Sequence, residues 1–185
     1  MAELRRAGAL DALAPTIDSN AKAAVRALPP AAQFIFRGPP DAATLAGNAF
    51  GVPFPETMRA ATAKDRAALW LGPDEFLLLA AADEEVEIEE AIAASRGATP
   101  HSFVGVSHRN TALEISGAHA GRLLNAGCPL DLDEPAFPIT MCTRTVLAKA
   151  PIVLWRTAAD AFYLSAWRSF APYVWEFLVE ARIRL

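Results

Sequence analysis

The sequence predicts an α+β fold, a tandem pair of ferredoxin-like βαββαβ-type units. Three observations carry that expectation. Strand and helix patterns follow one another as strand, helix, strand, strand, helix, strand, and then start over. "DEFLLLA" at 74–80 returns as "DAFYLSA" at 160–166, and "LW" at 69–70 returns at 154–155. "FRG" at 36–38, before the first helix, has a counterpart in "ISG" at 115–117.

The elements are justified in order. Residues 1–30 are Ala-rich with no sustained apolar period, and they read as an N-terminal arm. Residues 31–185 read as one domain made of two pseudo-repeats, about 31–106 and 107–185. "AAQFIFRG" at 31–38 is a strand stopped by Gly-Pro-Pro, and a short helix follows over 41–49 with Asp41 as its N-cap. "AALWLGPDEFLLLA" is a strand pair turning at Gly72-Pro73-Asp74. Its second strand is apolar on both faces and so suits a central position. "DEEVEIEEAIAAS" places Ile88, Ala91 and Ile92 on one helix face, with acids crowding the favourable start. "SFVGVS" is the next strand.

The second half repeats the plan. "TALEISG" is a strand with Leu113 and Ile115 on one face, and a helix runs through Leu123 and Leu124. "MCTRTVLAKAPIVLWR" is a strand pair turning near Lys149-Ala150-Pro151, and "AFYLSAW" is the third strand. In the last helix Phe170, Tyr173, Val174, Phe177, Leu178 and Ala181 form a core stripe. Pro172, Trp175 and Val179 fall on the opposite side, where a partner chain is expected to cover them.

Composition narrows the function classes. The 185 residues are 53% hydrophobic, enough for a substantial core. Basic and acidic groups number 17 and 21, a net charge of −4 with no basic block, which argues against nucleic acid. No run reaches the ~20 apolar residues of a membrane span. The N-terminus lacks the apolar core of a signal peptide, so a cytoplasmic protein is expected. Cys128 and Cys142 form no CxxC pattern and read as structural thiols.

"VSHRN" at 106–110 gathers groups that an active site would use. Ser107 and His108 are neighbours in an extended stretch, however, so they face apart and form no nucleophile–base pair. No catalytic residue is assigned, and no dinucleotide, phosphate-loop or zinc motif is present. Asp131, Asp133 and Glu134 lack EF-hand spacing and read as a solvated loop rather than a metal site. Arg144, mid-strand in "CTRTVL", either pairs with an acid across the sheet or meets a ligand. With Arg109 and Asn110 it is a candidate for cofactor binding. Arg168 lies at the positive start of the last helix, which is unfavourable unless neutralised.

"GVSHRNTALEISGAHAGRLLNAGCPLDL", "AFPITMCTRTVLAKAPIVLWR" and "SAWRSFAPYVWEFL", in that order, resemble the gamma subunits of heterotetrameric sarcosine oxidase. The resemblance is close from about residue 104 onward and looser back through "LWLGPDEFLLL". That family is similar in turn to the N-terminal part of folate-binding aminomethyltransferases, which implies the same tandem α+β fold. The turn "VLAKAPIVLWR" carries no acid where those enzymes place folate-directed aspartates, so the resemblance implies no active site here. It implies a non-catalytic subunit of a complex that oxidatively demethylates sarcosine, bound to the other subunits and especially the large alpha subunit. FAD, FMN, NAD and tetrahydrofolate are then held elsewhere in the complex. The alternative is a stand-alone folate-binding or aminomethyltransferase-like one-carbon protein.

Overall fold

A computed structural model describes residues 8–13, 22–95, 97 and 99–185. The first half begins with β2 (Ala31–Arg37), α1 (Pro40–Phe50), β3 (Ala60–Ala63), β4 (Arg66–Gly72) and β5 (Glu75–Ala81). A 3-10 turn (Ala82–Glu84) leads into α2 (Glu85–Ala94), and β6 (Ser102–Gly105) follows. The second half runs β7 (Asn110–Ser116), α3 (Ala120–Leu124), β8 (Cys142–Leu147), β9 (Ala150–Ala158) and β10 (Ala161–Trp167). A second 3-10 turn (Arg168–Phe170) opens α4 (Ala171–Ile183). Within the segment read as an arm, residues 1–7 and 14–21 lie outside the described residues. Ala24–Ala27 of that segment forms a strand, β1.

Three local readings change. Pro39, not Asp41, holds the N-cap position of α1. Pro40 suits the first turn because its missing N–H is one the helix leaves unpaired anyway. Asp41 still lies near the positive helix end, and Thr99 Oγ1 donates to its carboxylate at 2.7 Å. The β8–β9 turn is Ala148-Lys149, since Leu147 already pairs with Ala150, and Ala148 takes a φ of 51°. Strand β3 went unread because "ATAKDR" offers little alternation.

All strand pairing among the described residues is antiparallel. One sheet has the order β3-β4-β5-β2-β6 and the other β1-β7-β10-β9-β8. Read from the opposite end, the second is β8-β9-β10-β7-β1, so each strand has a counterpart. The register makes the duplication testable residue by residue. Phe36 pairs with Phe76, and Ile115 pairs with Phe162. Gly38 N–H donates to Asp74 O at 3.0 Å, and Gly117 N–H to Asp160 O at 2.9 Å. Both "FRG"/"ISG" and "DEFLLLA"/"DAFYLSA" are therefore in structural register. The "LW" pair is one residue out: Phe76 faces Trp70, whereas Phe162 faces Arg156.

In the first unit β6 follows α2 and pairs with β2; in the second, α4 ends the described chain. The corresponding place beside β7 is taken by β1, from ahead of both units. Leu28 N–H donates to Ala112 O at 2.9 Å, as Val106 N–H does to Gln33 O at 2.7 Å. Gly117 permits this entry. Its φ is 110°, and a Cβ there would lie 2.8 Å from Lys22 O.

The sheets pack face to face, with helices on the outer faces. Phe34, Phe36, Phe76 and Leu78 meet Phe50, Ile88 and Ile92 under α1 and α2. Leu113, Ile115, Leu154 and Phe162 meet Leu123, Leu124, Val174 and Leu178 under α3 and α4. Between the sheets lie Leu69, Leu77, Leu79, Cys142 and Tyr163. Strand β5 is thus covered on both sides, as its apolar run requires. Each sheet also clasps the other through an edge. Ala60 N–H donates to Thr140 O at 2.8 Å, and Cys142 N–H to Met58 O at 3.0 Å. Met58 and Thr140, the two acceptors, both have positive φ.

Candidate functional site

The three residues singled out for cofactor binding converge. Arg109 and Asn110 at the start of β7 and Arg144 on β8 line one groove of about 280 Å³ where the sheets part. Ile35, Leu71 and Leu77 supply wall from the first sheet, with Ser165 and Trp167 from β10.

Arg144 and Asn110 are already hydrogen-bonded within the chain, and Arg109 is stacked on Trp167. Arg144 reaches across to the other sheet, where both Nη atoms donate to the Glu75 carboxylate, Nη1 at 3.0 Å. Nη1 also lies 3.5 Å from Leu71 O. The Arg144 hydrogen bond holds the Glu75 carboxyl below the usual carboxylate range, against desolvation, and Arg37 at 3.9 Å assists. Asn110 Nδ2 donates to Oε1 of buried Gln33 at 3.3 Å. The Arg109 guanidinium lies over the Trp167 ring, 5.2 Å from its centroid. Ser165 is buried beside Tyr163, whose hydroxyl burial pushes up to about 12, so that neighbour is no base at neutral pH. The arrangement stitches two sheets together and offers donors, with no activated nucleophile.

Ser107 and His108 diverge as expected, though through a turn at 107–109 rather than a strand. Arg109 N–H donates to Val106 O at 2.9 Å to close it. Ser107 is buried; its Oγ accepts from Gln33 N–H at 3.0 Å and donates to Glu85 Oε1 at 2.6 Å. His108 is exposed. Ser107 therefore fastens the seam between halves to β2 and α2. Asp131, Asp133 and Glu134 are exposed, and Asp131 Oδ1 accepts from Asp133 N–H at 3.0 Å. Among the described residues no three His, Cys, Asp or Glu side chains gather as metal ligands. Cys128 and Cys142 are buried free thiols. Burial pushes the Cys142 thiol up to about 12, and it donates to Arg59 O at 3.1 Å.

The helix surface assigned to a partner needs correction. Trp175 is 4% exposed and belongs to the chain's own core, while Pro172 and Val179 are half-buried. Phe170 closes the 3-10 turn, so the α-helical stripe starts one residue later than the spacing from Phe170 implied. One residue is about 100° of rotation. The buried set becomes Ala171, Val174, Trp175 and Leu178, and Tyr173 turns outward. Sequence reading also missed Arg156, 5% exposed, which donates to Ala159 O at 2.5 Å and to Leu132 O. It lies over Phe162 at 4.6 Å and pins the acidic loop to the sheet. A lone cation inside "IVLWRTA" was the available signal.

Two helix-covered antiparallel sheets of matching strand order define the class: a tandem α+β fold, seen also in an aminomethyltransferase. Aminomethyltransferase T of the glycine cleavage system from Bartonella henselae superposes with a TM-score of 0.66 at 14% identity. That match covers 88% of this chain and 47% of that one, and it is a likeness of fold. The chain belongs to the sarcosine oxidase, gamma subunit family, whose model matches residues 37–184. It is 34% identical over 131 residues to sarcosine oxidase subunit gamma of Corynebacterium sp. (strain P-1), covering 71% of this chain and 64% of that protein. It is 34% identical over 140 residues to the Arthrobacter sp. subunit gamma, covering 76% and 68%. A chain of heterotetrameric sarcosine oxidase from Corynebacterium sp. U-96, solved with pyrrole 2-carboxylate, gives a TM-score of 0.89 at 26% identity. That match covers 97% of this chain and 95% of the other. No helix among the described residues is long and apolar enough to cross a membrane.

Proposed function

We propose that this chain is a non-catalytic subunit of a cytoplasmic heterotetrameric sarcosine oxidase, and that it contributes contacts to a complex that oxidatively demethylates sarcosine. The agreement of fold over 97% of the chain with a chain of such a complex carries the reading. The state of the groove supports the absence of chemistry. A pterin needs a carboxylate to meet its ring nitrogens, and the Glu75 carboxylate is committed to Arg144. The residues present do not fit tetrahydrofolate. FAD, FMN, NAD and tetrahydrofolate belong to the other subunits on this reading, with the large alpha subunit as the main contact.

Co-expression with the other three subunits tests it. The tagged chain is expected to bring them down in equal stoichiometry, and calorimetry of the isolated chain is expected to show no heat with tetrahydrofolate. Stoichiometric folate binding together with turnover of a methylamine donor by the isolated chain would replace this reading with a one-carbon enzyme.

A further inference from the structure

We propose that the surface at the start of α4 is a docking site for an acidic segment of another subunit, an inference that rests on the reading of this chain as part of a complex. His108, Arg109, Trp167, Arg168, Ser169 and Pro172 surround an open hollow of about 680 Å³. Trp167 is 44% exposed and presents a large aromatic face to the hollow. Trp, Tyr and Arg are the side chains that most often dominate binding energy, because they bury much area at low entropic cost. Arg109 is exposed and stacked on Trp167, which holds its charge at the rim.

Charge decides the kind of partner. No Asp or Glu is among the described residues lining the hollow, although the whole chain carries −4. The first turn of α4 holds no acidic residue, and no side chain caps its N-terminus. The exposed guanidinium of Arg109 is the positive group that the hollow presents. A carboxylate-bearing segment with an aliphatic or aromatic neighbour complements both features. A second copy of this chain does not: a two-fold contact would set each basic patch against itself.

The experiment mixes the full-length chain with the co-purified remainder of the complex and measures affinity at several salt concentrations. The wild-type affinity is expected to fall as salt rises. Arg109→Glu is expected to weaken binding tenfold or more at low salt, and Arg109→Lys to stay within threefold. Circular dichroism confirms that both variants fold. A photo-crosslinking residue in place of Ser169, used in the assembled complex, is expected to capture a peptide rich in Asp and Glu. Arg109→Glu binding with wild-type affinity overturns the inference alone. Capture of a second copy, or of a segment without carboxylates, does the same. Failure of the wild-type chain to join the complex overturns the parent reading and this inference with it.

Discussion

Replacing Trp175 by Ala separates a core role from an interface role. Trp175 is 4% exposed and packs with Val174, Leu178 and Phe137 in the cluster beneath α3 and α4. A buried aromatic removes ~150–250 Å² from water, which at ~25 cal/mol per Å² sets an upper bound of roughly 4–6 kcal/mol. Truncation of buried aromatics falls at about 3–5 kcal/mol, since the surroundings only partly close the cavity. For a chain of this length each kcal/mol lowers Tm by ~2–4 °C, giving roughly 6–20 °C. That is a large part of the ~5–15 kcal/mol that holds an ordinary domain together. Urea unfolding is best followed by far-ultraviolet circular dichroism, because the three other tryptophans complicate fluorescence. Exposed Glu176→Ala on the same helix is the control and should shift stability by no more than ~0.5 kcal/mol. An unchanged unfolding midpoint for Trp175→Ala, together with loss of the partner subunits, would refute the burial argument and restore Trp175 to the interface.

Three further outcomes are expected. Ser107→Ala leaves the buried Gln33 N–H without its acceptor and should cost about 1–3 kcal/mol in urea unfolding, with faster hydrogen exchange at Gln33. Glu75 has a lowered folded pKa, chiefly through Arg144, so its contribution is present above the unfolded carboxyl value and is lost as pH falls through the folded value. Unfolding midpoints should therefore drop less between pH 7 and pH 3 in Glu75→Gln than in wild type; equal drops would deny the pairing. Cys142, buried with its thiol pushed up to about 12, should resist a thiol reagent at pH 8 in the native chain and react once urea unfolds it. Mass spectrometry of the labelled peptides reads this directly.

What the sequence made legible was local. Strands β2, β5, β7 and β10 carry long apolar runs, and the repeated segments fall into register because the same hydrogen bonds recur at Gly38 and Gly117. The groove was half legible: Arg109, Asn110 and Arg144 were singled out by type, but their meeting depends on two sheets closing over each other. Glu75, the acid that answers Arg144, lies 69 residues away in the chain and in the other sheet. The phase of α4 was misread for a different reason. Phe170 and Ala171 are both apolar, so only the 3-10 turn decides which of them starts the stripe.

Strand β1 shows why such a unit resists reading from its own residues. "AVRA" has one strong β-former, Val25, and four residues of that composition specify little. What fixes them is the vacant edge of β7, where Arg26 lies opposite Glu114 and bonds it at 3.1 Å. Val25 then enters the core beside Ile115, fully buried. The first unit fills the same edge with β6, which follows its own α2. In the second, the same edge is filled by β1, from ahead of the first unit. Neither unit can then be cut away cleanly: removing residues 22–30 exposes an edge of the second sheet, and removing the second unit strands β1. The two halves thus repeat one strand order, yet in space the segment before the first completes the sheet of the second.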